Sequence, residues 1–512
     1  MRYVLAHDVG TTGDKATLFG EDGVLVASAF ASYETSTPRT GWSEQQPGDW
    51  WRALCETTRA LLQRTSVRPA EIAAVSFSGQ MMGVVPVDQA GDPLRDAIIW
   101  ADLRAVEQAD RAAAVVDPQR AYALTGHRLS ASYSAAKIAW IKEREPEIYR
   151  QSVKFLQAKD FLVLKLTGVQ ATDRSDASGT NLYDLEQARW SEELLGAFGL
   201  DRDRLPDLHD STEVVGEVQR SAAEATGLRV GTPVVIGGGD GSCAGVGAGA
   251  VREGVAYNYI GSSSWIALAS ARPILDPEMR TFTWAHLVPH MFSPCGTMQA
   301  AGGSYQFARD LLAQHEKVVA EGLGIPAYEL MNQELEHSPP GAGGLLFLPY
   351  LIGERSPRWN PDARGGFVGL TIRHRRVDLL RAVLEGVTLN LRVILEAFQA
   401  QGAGIRRLRV IGGGAHSRVW NQIMADVFQL PIERLAHDEE ATSTGAAVAG
   451  GIGAGLWKDF SVVDEMVRVA GVTDPRSELA PLYDELYGIF NETYERLEAG
   501  GVFHRLAAIG DS

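Results

Sequence analysis

A chain of 512 residues, 45% hydrophobic and 22% charged, has room for two or more domains with full cores. Its formal net charge of −16 argues against a nucleic-acid or anionic-membrane surface, although local amides and a metal ion still let an acidic chain hold a nucleotide. Three widely spaced cysteines, Cys55, Cys243 and Cys295, give no disulfide framework and no zinc pattern, and no apolar run is long enough to span a bilayer. The N-terminus lacks the pattern of a signal peptide, so the cytoplasm is the expected compartment.

In chain order, the opening reads as a β-meander. Tyr3 to Val9, Lys15 to Phe19 and Val24 to Phe30 are strand-like, divided by Gly10-Thr11-Thr12-Gly13 and by Glu21-Asp22-Gly23. Pro47 to Leu62 reads as a helix, and Ile72 to Phe77 as a strand ending at Ser78-Gly79-Gln80. Val84 to Val87 and Ile98 to Trp100 are further strands; Ser134 to Arg144, Ser152 to Gly168 and Trp190 to Gly199 carry helical spacing. Val234 to Ile236 is a buried strand running through Gly237-Gly238-Gly239 to Asp240 and a small-residue helix from Cys243 to Ala250. Val255 to Ile260 then meets Gly261-Ser262-Ser263-Ser264 and Trp265 to Leu268, a second strand–turn–strand. The strand–GGG–helix pattern returns at Leu408 to Ile411, Gly412-Gly413-Gly414-Ala415 and a helix from Val419 to Phe428. Alternation of these two kinds of unit suggests an internal duplication with a boundary near 250–254. A tail helix from Leu479 to Leu497 presents Leu482, Leu486, Ile489, Phe490 and Leu497 as an apolar face expected to pack back on the body.

Two Gly/Ser/Thr turns, one near the start of each half, offer amides and hydroxyls to an anion and suggest two lobes gripping a polyphosphate. Asp8, at a strand end, suits a hydrated Mg2+, with Thr11 and Thr12 donating to phosphate and Lys15 offsetting charge. A hairpin turn with a leading Asp is the plainer alternative. Asp240, at a strand end opening a helix, suits a general base for a substrate hydroxyl; an N-cap is the structural alternative, and both roles are compatible. Gly412-Gly413-Gly414-Ala415 leaves space for a flat ring against the backbone, or serves helix–sheet packing. No G-x-x-x-x-G-K-[ST] loop, H-E-x-x-H or G-x-S-x-G elbow occurs, and no G-x-G-x-x-G follows the first strand.

Taken in order, these segments resemble the FGGY family of carbohydrate kinases, within the actin-like ATPase superfamily. Asp8-Val9-Gly10-Thr11-Thr12-Gly13 looks like its first phosphate loop, Gly261-Ser262-Ser263-Ser264 its second, and Gly412 to Ala415 its adenosine motif. Gly365 to Leu370 followed by Asp378 to Glu385 is similar to the C-terminal signature. Ser132 to Trp140 is close to the N-terminal signature, with Arg144 departing from its polar ending. Gly41 to Pro47, Ile98 to Trp100, Ala158 to Asp160, Ser175 to Thr180 and Phe347 to Arg355 resemble the bacterial xylulokinase group of that family.

The resemblance implies an α/β fold of two ribonuclease H-like domains flanking a catalytic cleft: 1–250 with the first phosphate loop and catalytic Asp, 251–455 with the second loop and adenosine motif, and 456–512 as a helical tail. It implies transfer of the γ-phosphoryl of ATP to a primary hydroxyl of a ketose or polyol, with D-xylulose or a related pentulose the nearest label. Ribulose, fuculose, gluconate or a glycerol- or erythritol-type polyol are the alternatives. Asp240 would accept the hydroxyl proton, with Mg2+ at Asp8 and Asp240. Gly10, Thr11, Thr12, Lys15, Gly261, Ser262, Ser263, Gly413, Gly414 and Ala415 would hold the nucleotide, and Gln80, Met81, Met82 and Trp100 the sugar. Core filling is the alternative for Met81 and Met82, and interior packing for Trp100. Two departures remove polar groups from the sugar pocket: Met82 stands where the family has histidine, and Gly241 where an asparagine often follows the acid. Asp102 and Arg104 are expected as surface loop charges. The expected partners are small molecules, without nucleic acid or membrane, and a homodimer is left open. A non-catalytic ATP-binding regulator and a chaperone-like ATPase are the rivals; the first has no use for Asp240, and the second lacks its peptide-binding β-domain.

Overall fold

The structure is a computed structural model, and it describes residues 1–436 and 438–510. The first half builds a twisted mixed sheet. Strands β1 (Tyr3–Val9), β2 (Gly13–Gly20) and β3 (Leu25–Ser32) form the antiparallel meander that the turns at 10–13 and 21–23 require. Helix α1 (Pro47–Arg64), with Pro in its first turn, covers the meander and leads to β4 (Ile72–Gly79), parallel to β1. Strand β5 (Val214–Glu217) pairs antiparallel with β6 (Pro233–Val235), which lies parallel beside β4, and the short β7 (Gly238–Gly239) continues along β4. The order is β5-β6-β4-β1-β2-β3.

The second half repeats the plan. Strands β8 (Ala256–Ile260), β9 (Ser264–Leu268), β10 (Phe282–Ala285) and β11 (Phe292–Met298) are antiparallel, while β12 (Leu408–Ile411) and β13 (Ile432–Leu435) run parallel beside β8 and β14 (Val469–Thr473) closes an antiparallel edge. The order β10-β11-β9-β8-β12-β13-β14 matches the first sheet strand for strand from β11 to β14. The match corrects the expected pairing of the two GGG segments. Strand β12 occupies the place of β4, whereas the strand before Gly237 occupies that of β13, so the two glycine runs are not equivalent in the duplication.

Two helices cross between the halves. Helix α2 (Asp240–Gly247) follows β7 yet packs Ala244 with Tyr257, Ala267 and Ile411 of the second sheet. Helix α3 (Ala441–Gly453), from the second half, lies on the first sheet, with Gly450 against Ser76 and Val4. The two helices meet where a Cβ on Gly445 would fall 2.1 Å from the Cys243 carbonyl oxygen, and one on Gly247 1.8 Å from that of Ala441. The small residues of both segments allow this approach.

Several local expectations are corrected. The segment expected as one helix from Ser152 to Gly168 is a strand, Lys154–Leu156, then a helix, Ala158–Thr167, because Phe155 and its neighbours pair antiparallel with Val85–Val87. The expected helix at 243–250 begins at Asp240, with Gly239 as its cap residue. The tail helix, Ala480–Ala499, packs on the second-half core through Tyr483, Leu486, Phe490 and Tyr494, while Leu482 and Ile489 of the expected face stay exposed. Tyrosines thus replace aliphatics on the buried stripe. All three cysteines are free, and no helix among the described residues is long and apolar enough to cross a membrane.

Candidate active site

Register along β1, β4 and β7 assembles the acids. Asp8 stands opposite Ser78, which stands opposite Gly238, and Val9, Gly79 and Gly239 form the next rank. Asp240 follows directly, so both carboxylates belong to one end of the sheet. Gly237 makes this possible: its φ is +67°, and a Cβ there would fall 1.9 Å from the Phe77 carbonyl oxygen. Asp8 accepts hydrogen bonds from Ser78 Oγ at 2.8 Å and from Thr442 Oγ1, of the second half, at 2.6 Å. Asp240 accepts one from the Gly241 amide at 2.7 Å. Burial raises the pKa of both acids; the charge of Asp8 adds to the effect at Asp240, which is pushed up to about 7. Among the described residues neither acid has a Lys or Arg ion pair. Two neighbouring carboxylates so little compensated suit a hard divalent cation.

The first anion turn, 10–13, is closed by Gly10 N–H to Gly13 O at 3.0 Å. It is braced from outside by Tyr33 OH to Gly10 O at 2.5 Å, Gln80 Nε2 to Gly10 O at 3.2 Å, Gln45 Nε2 to Thr11 O at 2.7 Å and Trp100 Nε1 to Thr11 Oγ1 at 2.9 Å. Lys15 points elsewhere, donating to Glu439 O at 3.0 Å with Glu440 at 3.5 Å, so in this structure it tethers the halves.

In the second turn, 261–264, Ser264 is spent internally, donating to Tyr259 O at 2.6 Å. Ser262 is exposed and Ser263 half-buried, and their hydroxyls make no hydrogen bond among the described residues. Helix α4 (Gly302–Leu312) starts directly on this turn, with Gly302 N–H donating to Gly261 O and Gly303 N–H to Ser262 O, both at 2.9 Å. A Cβ on Gly302 would sit 2.3 Å from Gly261 O, and one on Gly412 2.8 Å from Ile260 O. Three turns, around Gly261, Gly302 and Gly412, therefore converge, and Gly413 faces open space. Sequence reasoning missed Gly302 and Gly303; the run Ala300-Ala301-Gly302-Gly303-Ser304 after a strand was the available signal.

The surroundings of Gln80, Met81 and Met82, expected to hold the sugar, differ in construction. Gln80 Nε2 also donates to Gln45 Oε1 at 2.8 Å, and its own Oε1 is buried without a partner among the described residues. Met81 is interior, packed on Gly239 and Gly179, whereas Met82 is half-buried with φ +65°. The Met82 amide donates to Gln157 Oε1 at 2.6 Å and its carbonyl accepts from Lys137 Nζ at 2.9 Å. Lys137 also bonds the Ile99 and Ser132 carbonyls, and burial lowers its pKa to about 7. Gln157 continues to Asp176 O, beside a buried cluster in which Lys159 meets Asp160, Asp173 and Asp176 at 2.7, 3.0 and 3.3 Å. Ser175 Oγ donates to Asp173 at 2.5 Å and accepts the Gly239 amide at 2.9 Å. One buried polar scaffold thus carries both the Met82 loop and the strand end before Asp240.

Trp100 is half-buried against the first turn. Asp102 and Arg104 are not the surface charges expected. The side chains of both are buried: Arg104 pairs with Asp102 at 2.6 Å and Glu44 at 2.7 Å beneath the Trp42 ring, 3.6 Å from its centroid. The pair also fixes Ser43 N–H, which donates to Asp102 at 2.6 Å.

Comparison with known proteins now bears on this geometry. A model of the FGGY family of carbohydrate kinases, N-terminal domain, matches residues 3–247, and one of the C-terminal domain matches 256–454. The chain is 31% identical to the xylulose kinase of Bacillus subtilis (strain 168), covering 96% of this chain and 97% of that protein. It is 32% identical to the gluconokinase of Bacillus licheniformis, covering 97% and 96%. Among solved structures, the xylulose kinase from Rhodospirillum rubrum superposes with a TM-score of 0.90 at 31% identity, covering 98% of this chain and all of that one.

Proposed function

The chain belongs to the FGGY family of carbohydrate kinases and is a phosphotransferase with an alcohol acceptor, using ATP as donor; on that premise we propose that its acceptor is D-xylulose or a related pentulose. The observation that supports the site reading is the Asp8–Ser78–Gly238 register, by which two acids without a Lys or Arg ion pair among the described residues share the end of the first sheet that carries the 10–13 turn.

In this reading Asp240 accepts the proton of the attacking primary hydroxyl. Burial helps, because a carboxyl pushed up to about 7 is a stronger base than a solvated one and is still ionised above neutral pH. Thr11, Thr12, Ser262 and Ser263 orient the phosphates, and Gly412 to Ala415 leaves room for the base. Phosphoryl transfer asks mainly for positioning and charge stabilisation. Asp8 and Asp240 would hold Mg2+, which when bound neutralises phosphate charge. Residues 1–250 and 251–455 act as the two lobes, with 456–512 closing on the second. The cytoplasm is the proposed compartment.

Met82 and Gly241 offer no side-chain hydrogen bond, and a relative of equal identity is named for gluconate. A coupled ADP assay over pentuloses, hexuloses, polyols and aldonates decides. The expected result is the highest kcat/KM on a pentulose. A clear preference for an aldonate overturns the acceptor and keeps the kinase; no acceptor-dependent ADP overturns both.

A further inference from the structure

Tyr259 occupies an unassigned place in the cleft. It lies on β8 one residue before the end of the strand, and its ring stacks on Trp265 with centroids 4.0 Å apart and planes 15° apart. Glycines confine it on both sides. A Cβ on Gly261 would fall 2.7 Å from the Tyr259 hydroxyl, and one on Gly412 3.1 Å from its Cε2. The phenol is therefore held where the second anion turn meets the adenosine-side turn. Burial, with the charges of Asp240 and Asp8, holds its proton on, so the phenol stays a donor.

Its neighbour shows what is unusual. Alternate residues of a strand share a face. Tyr257, two residues earlier, spends its hydroxyl within the protein, donating to Gly241 O at 2.9 Å and accepting from Trp265 Nε1 at 3.1 Å. The Tyr259 hydroxyl makes no hydrogen bond among the described residues, although its ring is half-buried and fixed. An oriented donor without a protein acceptor among the described residues, beside the 261–264 turn, is placed for an anion. Lys15, the cation nearest the first turn in sequence, is engaged with Glu439 and Glu440 instead.

We propose that the Tyr259 hydroxyl donates a hydrogen bond to the terminal phosphoryl group of the bound nucleoside triphosphate, adding a side-chain contact to the backbone turns. This deepens the kinase reading and rests on it. A stacked phenol suits the task because little rotamer freedom remains to be lost on binding. As a neutral donor it adds no charge beside the two acids.

The test is Tyr259→Phe, which keeps the ring, the stack and the fit between the glycines and deletes only the donor. Calorimetry with Mg2+ compares ADP with the non-hydrolysable triphosphate AMPPNP, in the parent and the variant. The variant is expected to bind AMPPNP about tenfold more weakly and ADP within about twofold of the parent, as loss of one hydrogen bond to the third phosphate predicts. Equal AMPPNP affinity in the two proteins overturns the assignment. Parallel loss for ADP and AMPPNP also overturns it, because that reports a disturbed turn. A parent that binds neither nucleotide sinks the kinase reading as well, whereas a parent that binds both, with an indistinguishable variant, sinks only the role of Tyr259.

Discussion

The two walls of the cleft are made differently. The wall around Gly261, Gly302 and Gly412 is backbone pressed on backbone, with carbonyl oxygens 2.3 and 2.8 Å from where side chains would begin. The wall around Met82 and Trp100 is side chains hung on a buried scaffold of Lys137, Gln157 and the Lys159 cluster. A backbone wall tolerates little change, and on the proposed reading it holds the phosphates. A side-chain wall can be re-lined without moving its supports, so on the proposed reading it is where acceptor preference would be set.

Substitutions on each wall can break that contrast. Of the wall substitutions, the largest effect is expected from Gly302→Ala. The new methyl cannot coexist with Gly261 O, so the 261–264 turn must shift, and a displacement of about 1 Å costs on the order of 10- to 100-fold in the reaction. Isothermal titration should show weakened ATP affinity, and steady-state kinetics an acceptor KM within about twofold of the parent; a raised acceptor KM with normal ATP affinity would dissolve the contrast. Next is Met82→His, which puts a polar group at a half-buried position of the proposed acceptor face. We predict a change in the ranking of a sugar panel by about five- to tenfold, read as kcat/KM ratios, with ATP affinity unaltered. An unchanged ranking removes Met82 from the acceptor pocket.

A smaller effect sharpens the account of the acids between the walls. A carboxyl whose folded pKa is raised from 3.8 to about 7 costs stability once it must ionise: the cost is absent below about pH 4, grows up to about 7 and is constant above. Asp240→Asn should therefore raise the melting temperature by about 2 to 4 °C at pH 8 and by less at pH 5. A lower melting temperature at pH 8 would show that the ionised acid is better compensated than its surroundings indicate.

The contrast also explains what could be read from the chain. The glycine-rich turns at 10–13, 261–264 and 412–415 are legible because close backbone approach leaves few residue choices, and the strands beside them follow from alternation and turn chemistry. The pairing of the two GGG runs misled because local pattern does not encode strand order; only the sheets show that β12 is the partner of β4. Arg104 was illegible for a related reason. Its partners, Glu44 and Trp42, lie some sixty residues earlier, and no local rule buries an arginine in a loop. The same holds for Lys159, whose neighbours Asp173 and Asp176 come from a separate strand and helix. Tyr259 sat inside a recognised strand and was hidden by it: an apolar stretch gives no sign of which tyrosine keeps its hydroxyl free.

The most direct test is Asp240→Ala, assayed for acceptor-dependent ADP formation alongside titration with AMPPNP. Loss of turnover on the order of 10²- to 10⁴-fold is expected, with nucleotide affinity within about threefold of the parent, because on the proposed reading the acid serves the acceptor proton while Asp8 remains to hold the metal and the turns to hold the phosphates. Near-parental turnover would contradict the account, and so would a collapse of nucleotide binding equal to the loss of rate.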